Sequence, residues 1–232
     1  MLSLSVVIPT YNECDNIVVL LDQLATQLLS MKDAYEIIVV DDASPDGTAA
    51  VVEQYAKNVS FVRLIQRSGK RDLSAALASG FDSAAGECLV AMDADLQHDP
   101  AIVLQMLMAA SHADLVVATR YAAQGSVTRW NGMRRFFSQV ATGISVAVLR
   151  IHCSDPLSGY FLLRRDAWQA VRKNLYLSGF KLLLEILVAK PDLVCVEVGY
   201  CFAARQRGNS KFGAGAMLAF LLAVWRLRRR SL

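Results

Sequence analysis

Asp93, Asp95 and Gln97 occupy alternate positions in "MDADLQHDP" (92–100), just beyond the apolar residues "CLVAM". Successive strand side chains point to opposite faces, so a strand continuing through this stretch would aim all three at one spot. Two carboxylates brought together repel, and a cation between them removes the repulsion. Carboxylate and amide oxygens are hard donors of the kind Mg²⁺ or Mn²⁺ prefers, and such ions are held by one or two carboxylates together with substrate phosphates. A cation bridging a diphosphate would also offset the charge on a departing nucleotide. An Asp-Asp pair alone is more often a turn or a helix cap. Here, however, three polar clusters each close an apolar run: "PTYNE" (9–13), "DDASPDGT" (41–48) and "DADLQHDP" (93–100). Neither GxxxxGK[ST] nor GxGxxG occurs, so a nucleotide would be gripped through acids and metal rather than by a glycine-rich phosphate loop.

The elements that must position these clusters are legible as an alternation. "LSVVIP" (4–9), "YEIIVVDD" (35–42), "VSFVRLI" (59–65), "CLVAMD" (88–93) and "DLVVAT" (114–119) read as buried strands. Helical segments separate them at 13–29, 46–57, near 72–84 and near 100–110, the second with Asp46 as its expected N-cap. Strands and helices at this spacing predict an α/β fold of right-handed βαβ units around a mostly parallel sheet. Ligands of such sheets bind outside the carboxyl ends of the strands, where the three clusters fall. Beyond residue 120 the alternation breaks. A short strand near 160–163, a helix near 179–189, the strand "LVCVEVGY" (193–200) and an apolar C-terminal helix extend the same domain and supply the acceptor side of the site.

The chain has 232 residues, 54% hydrophobic and 19% charged, enough for one large domain with a sizeable core. We expect a domain over 1–212 and an apolar, basic helix over 213–232. Net charge is only +3, yet no acid follows Glu197, while Arg205, Arg207, Lys211, Arg226, Arg228, Arg229 and Arg230 do. That asymmetry predicts an anionic partner, a phosphate ligand or a membrane surface, and no nucleic acid. Five cysteines without CxxC spacing read as reduced thiols of a cytosolic protein. The N-terminus lacks the features of a signal peptide. "FGAGAMLAFLLAVW" (212–225) has 14 residues, whereas a span needs roughly 20. With "RLRRR" behind it, it suits an interfacial helix, as does "FFSQVATGISVAVL" (136–149) behind Arg134 and Arg135. The expected location is peripheral, at the cytoplasmic face of a membrane.

Taken in order, "VVIPTYNE", "EIIVVDDASPDGT", "MDADLQHDP", "ATRY", "DPLSGYFLLRR", "GFKLLLEIL" and "RQRGNSKF" resemble the family 2 glycosyltransferases of GT-A fold, and among them the dolichol- or polyprenyl-phosphate mannosyltransferases. The match runs from Val6 to Phe212. The resemblance implies that Pro9, Tyr11, Glu13, Val40 and Asp42 line the nucleotide pocket. Asp93 and Ala94 would lie beside the donor, and Asp95 and Gln97 would hold Mg²⁺ or Mn²⁺ under its diphosphate. Arg120, Arg134, Ser138, Arg205 and Lys211 match positions around the phosphates: Arg120, Arg134 and Ser138 toward the acceptor phosphate, Arg205 and Lys211 toward the donor. Catalysis would rest on Asp93, Asp95, Gln97 and Arg120. Asp155, Ser158 and Gly159 match an acceptor-loop motif, and 200–213 a loop closing over the site. His98 is read as a supporting residue rather than a ligand.

The implied reaction is inverting transfer of a hexose, mannose from GDP-mannose, to a polyprenyl or dolichyl monophosphate. Two departures fall on the sugar side: Asp72 stands where many relatives have glycine, and "VATRY" replaces "GSRY". A UDP-sugar-dependent polyprenyl-phosphate glycosyltransferase, such as a glucosyltransferase, is therefore one alternative. Relatives of that kind often carry two C-terminal spans, which this chain is expected to lack. A non-catalytic nucleotide-sugar-binding subunit that docks on a membrane is the other. Whether the C-terminal helix anchors alone or against a membrane partner subunit stays open.

Overall fold

The computed structural model describes residues 3–32, 34–121, 126–127, 142–143, 145–149, 151–177, 179, 181–202 and 224–229. Its first half realises the expected alternation: β1 (Leu4–Thr10), α1 (Cys14–Gln27), β2 (Tyr35–Asp41), α2 (Thr48–Ala56), β3 (Val62–Gln66), α3 (Leu73–Ser83), β4 (Cys88–Ala91), α4 (Ile102–Ala109) and β5 (Leu115–Thr119). There follow β6 (Ser126–Val127), β7 (Phe161–Arg164), α5 (Arg165–Val171), α6 (Leu182–Ala189), β8 (Cys195–Gly199) and β9 (Cys201–Phe202).

Among the described residues, seven strands form the main sheet in the order β3-β2-β1-β4-β7-β5-β8. β7 runs antiparallel to both its neighbours, and the remaining pairs are parallel. Alternate strand residues feed two cores, because side chains leave a strand on opposite faces. Val6, Ile8, Ile37, Val39, Val90 and Val116 meet Ile17, Leu20, Leu21 and Leu24 of α1 and Val103 and Met106 of α4. Val7, Ile38, Val40, Leu89 and Val117 meet Leu77 and Phe81 of α3, Trp168 of α5 and Leu183 of α6. A strand buried on both faces needs a nearly continuous apolar run, and β1 and β2 read that way but for Ser5 and Glu36, which satisfy each other by a hydrogen bond of 2.7 Å.

Two features of this topology build the site. The chain moves outward from β1 to β3, then returns to place β4 on the other side of β1. The β1/β4 boundary is thus a topological switch point, the crevice where open α/β sheets take ligands. β7, being antiparallel, begins at the edge where the parallel strands end, with Phe161 opposite Ala91 and Val117. The loop before it, with Asp155, Ser158 and Gly159, is therefore delivered to the same edge as the loops after β1, β2, β4, β5 and β8.

One helix start differs from expectation. Asp46 is not the N-cap of α2; that position is Gly47, at φ +88°. Asp46 sits one residue further out, where its carboxylate accepts the Thr48 amide at 3.0 Å, the Thr48 hydroxyl at 2.6 Å and the Cys14 amide at 3.1 Å. From there it ties the start of α2 to the start of α1. Of the stretch 213–232, residues 224–228 are helical within the described part. Val224 and Leu227 are buried in the same core as α6, while Trp225 is 52% exposed. No helix among the described residues is long and apolar enough to cross a membrane.

Candidate active site

The turn after β4 is not a continued strand. β4 stops at Ala91, and the Met92 amide makes one more ladder bond to the Val7 carbonyl at 3.1 Å. The chain then bends, with Leu96 at φ +60° and its side chain packed against the α1/α4 core. Asp95 accepts the Gln97 amide at 3.2 Å, the local bond by which aspartates start turns. Aspartate's turn chemistry and the packing of the half-buried Leu96 override strand alternation here. Asp95 and Gln97 are nearly buried, at 8% and 4%, whereas the Asp93 side chain is 40% exposed at the mouth.

His98 braces this turn. Its ring is buried, stacks on Tyr160 at 4.8 Å between centroids, and meets the edge of Tyr200 at 5.9 Å. Nδ1 accepts the Asp93 amide at 3.2 Å, so a neutral ring carries its proton on Nε2, which lies 3.9 Å from Asp93 Oδ2. Burial, then the Arg120 charge, hold its pKa down at about 4 against the pull of Asp95 and Asp155. The Tyr160 hydroxyl donates to the Asp99 carbonyl at 2.9 Å, closing the turn from the far side.

Across the crevice Arg120 and Asp155 form a bidentate pair, Nε to Oδ2 at 2.8 Å and Nη2 to Oδ1 at 2.7 Å. The Asp155 side chain has no solvent exposure and that of Arg120 only 11%. Burial alone would lower the guanidinium's pKa; the hydrogen bonds and charge of Asp155 overturn this and raise it. Ser158 donates to the Ala118 carbonyl at 2.9 Å, pinning the loop to the end of β5. Gly159 then passes so close that a Cβ there would meet Asp93 Oδ2 at 3.0 Å. We expect Gly159→Ala to displace the Asp93 carboxylate by a few tenths of an ångström and to cost about tenfold in kcat, since small misplacements at a reacting centre are expensive. Turnover and melting temperature measured together check this, with the latter little changed.

On the β1/β2 side, Thr10 donates to Asp41 Oδ1 at 2.9 Å, and Ser44 reaches both Asp41 oxygens, by its hydroxyl at 2.5 Å and its amide at 2.8 Å. Asp41 is thus buried and structural. Asp42 is the residue turned to the crevice wall, where it pairs with Arg67 and accepts the Asp72 amide at 3.0 Å. Tyr11 lies under the Arg71 guanidinium, 4.1 Å from its ring centroid. The Glu13 carboxylate holds the Asn16 side chain at 2.7 Å. Pro9 pairs with Val40 across β1 and β2, and Ala94 is buried beside Asp93.

The edge therefore collects Pro9, Tyr11, Glu13, Val40, Asp42, Asp93, Ala94, Asp95, Gln97 and Arg120 at the ends of four strands, with Asp155, Ser158 and Gly159 opposite. Arg134, Arg135, Ser138, Arg205, Arg207 and Lys211 lie outside the described residues. Two residues at the edge carried no assigned role in the sequence reading, Lys181 and Tyr200. Lys181 is electrostatically coupled to Arg120, Asp155 and Asp93, and burial brings its pKa down to about 8. Tyr200 is buried and sees the same three groups. "GFKLLLEIL" contains the lysine, but as part of a motif and not as a charge placed on the site.

Sheet order, switch point and acid-lined carboxyl edge define an α/β fold of GT-A type. A sequence profile for glycosyl transferase family 2 matches residues 5–172, and the chain belongs to that family of sugar-transferring enzymes. The dolichol-phosphate mannosyltransferase of Pyrococcus furiosus is 35% identical over 231 residues, covering 98% of this chain; the chain spans 64% of that relative's length. The dolichol-phosphate mannosyltransferase of Saccharomyces cerevisiae is 34% identical over 225 residues, covering 94% of this chain and 84% of the yeast protein. In structure the chain is similar to glucosyl-3-phosphoglycerate synthase from Mycobacterium tuberculosis in complex with phosphoglyceric acid, with a TM-score of 0.72 at 19% identity, over 99% of this chain and 79% of the other. The same enzyme in complex with Mn²⁺, UDP-glucose and phosphoglyceric acid gives 0.69 at 20% identity, over 96% and 79%. At such identities the likeness speaks for the fold.

Proposed function

We propose that this chain transfers mannose from GDP-mannose to a dolichyl or polyprenyl monophosphate, with inversion at the sugar. The observation that carries the reading is that two proteins named dolichol-phosphate mannosyltransferase match 94% or more of this chain at 34–35% identity. The site is compatible with it. A hydroxyl acceptor needs a general base to take its proton. A phosphate monoester is already an anion near neutral pH, so the site must position it and balance charge. The histidine at this edge is buried, neutral and committed to the Asp93 amide, which suits an acceptor that needs no base.

Asp95 and Gln97 fit a divalent cation by donor chemistry, since both are buried hard-oxygen donors beside the switch point. When bound there, Mg²⁺ or Mn²⁺ would supply positive charge to the leaving diphosphate. The protein's own work is orientation. Pro9, Tyr11, Glu13, Val40 and Asp42 would receive the nucleoside, and Asp93 would face the sugar. Arg120, held by Asp155, would sit on the acceptor side with Arg134 and Ser138, while Arg205 and Lys211 would close on the donor phosphates. A phosphate oxygen attacks the anomeric carbon as the bond to the diphosphate breaks and GDP leaves with the electron pair, turning an α-linked donor into a β-linked product.

We place the enzyme at a membrane surface, peripherally and on its cytoplasmic face, with 1–212 as catalytic domain and 213–232 as interfacial helix. Trp225, exposed and 3.8 Å from the Arg229 guanidinium, has the aromatic-plus-arginine character of an interface anchor. The test is a donor panel. With dolichyl phosphate and Mg²⁺ or Mn²⁺, GDP-mannose is expected to give a lipid-linked sugar at least tenfold faster than UDP-glucose. Preference for a UDP-sugar would overturn the donor assignment.

A further inference from the structure

Asp155 reaches Arg120 from a segment, residues 151–155, whose side chains alternate. Ile151, Cys153 and Asp155 are buried, at 7%, 7% and 0% exposure, while His152 and Ser154 are exposed. A period of two belongs to extended backbone, so a slip of one residue would turn the Asp155 carboxylate away from the arginine. Among the described residues this segment joins no strand ladder. Something other than sheet pairing fixes its register.

The bonds that do so converge on Glu197 of β8. Its Oε1 accepts the Ser154 amide at 2.7 Å, the Ser154 hydroxyl at 2.7 Å and the Cys153 thiol at 3.4 Å. A carboxylate accepts and cannot donate, so the Ser154 proton is committed to Glu197. The bond of 2.9 Å between the Ser154 and Thr119 hydroxyls is then donated by Thr119. Thr119 Oγ1 in turn accepts the Tyr121 amide at 3.1 Å. A directed chain results, from the Tyr121 N–H through the Thr119 and Ser154 hydroxyls to Glu197. Bonds that all point one way polarise and strengthen one another. Thr119 and Tyr121 flank Arg120, and Ser154 precedes Asp155. The chain therefore holds the backbone beside both members of the bidentate pair. β8 delivers its terminus by register, with Glu197 opposite Val117 and Gly199 opposite Thr119.

Resting on the function proposed above, we propose that Glu197 is a positioning residue for the acceptor phosphate: it ends a hydrogen-bond chain that fixes the register of 151–155 and so aims the Arg120 guanidinium. Glu197 acts through Asp155 and Arg120 and not by contact with substrate. The nucleoside side of the site, built on β1 and β2, has no member in the chain.

Three single variants take the chain apart. Glu197→Ala removes its terminus, Ser154→Ala its middle link, and Glu197→Gln keeps an oxygen that can accept both Ser154 bonds. Glu197 and Ser154 are exposed, so melting temperatures should change by no more than a few degrees. Initial rates with GDP-mannose and dolichyl phosphate in Mg²⁺ give a KM for each substrate. Glu197→Ala and Ser154→Ala are each expected to raise the KM for dolichyl phosphate about fivefold and to leave that for GDP-mannose unchanged. Glu197→Gln should restore the acceptor KM to within about twofold of wild type. Glu197→Ala with Ser154→Ala should be no worse than Glu197→Ala alone, because one chain is broken only once. An unchanged acceptor KM in Glu197→Ala would overturn the positioning role, as would an equal rise in both KM values.

Amide hydrogen exchange on the same proteins reads the chain without turnover. In Glu197→Ala the Arg120 and Tyr121 amides are expected to exchange about tenfold faster than in wild type, and in Glu197→Gln at close to the wild-type rate. Unchanged exchange at both amides in Glu197→Ala would overturn the chain itself. A wild type that uses no polyprenyl phosphate, but whose Arg120 and Tyr121 amides respond as expected, overturns the acceptor reading and leaves Glu197 as the residue that sets the Arg120–Asp155 pair.

Discussion

Asp95→Ala is expected to lower transfer by about three orders of magnitude, and the loss should not be recovered by raising Mg²⁺ or Mn²⁺. The size follows from what the carboxylate is asked to do. Charge on a departing diphosphate is offset by a bound cation to the extent of several kcal/mol, and each 1.4 kcal/mol or so is a factor of ten. Asp95 is 8% exposed and its Oδ1 accepts the Gln97 amide, so the same side chain orients the second candidate ligand. Removing it should therefore cost both donors, whereas Gln97→Ala should leave Asp95 in place and cost less. The check is initial rate against metal concentration for wild type and both variants. Full activity of the wild type in chelator would remove the metal role from this site.

Arg120→Ala is expected to be the most damaging single change to stability, at about 3–5 kcal/mol, because it leaves a carboxylate buried without its partner. The Asp155 side chain has no exposure and takes both hydrogen bonds from one guanidinium. Arg120→Lys supplies one point charge in place of a planar fork and should be only partly tolerated. Arg120→Ala combined with Asp155→Ala removes both charges and should recover much of the stability. On the proposed function it should recover none of the activity, since the arginine faces the acceptor. Denaturant melts and turnover on the three proteins separate these contributions. A double variant as unstable as Arg120→Ala would mean the cost lies in packing and not in the orphaned charge.

The parts of this molecule written in short windows were readable from sequence. β1 and β2 are nearly continuous apolar runs because both faces are buried, and α1 shows its stripe because only one face is. The polar clusters were readable because strands that end at a ligand edge end abruptly. What escaped depends on long-range pairs. The antiparallel insertion of β7 is invisible in "YFLLRR", yet it is what brings Asp155 to Arg120, 35 residues apart in sequence. Strand alternation misjudged the turn at Asp93, Asp95 and Gln97 because the Asp95 bond to Gln97 and the half-buried Leu96 decide that geometry.

These assignments make one demand on the product. On the proposed function the attacking atom is a lipid phosphate oxygen, arriving opposite a diphosphate at the β1/β4 crevice. The most direct measurement is the anomeric configuration and linkage of the lipid product, by NMR, after incubation with GDP-α-mannose, dolichyl phosphate and Mg²⁺ or Mn²⁺. The account predicts a single β-mannosyl phosphodiester, formed with one GDP released per sugar and absent in chelator. An α-linked product, or a sugar attached to a hydroxyl while the lipid phosphate is left unconsumed, would contradict it.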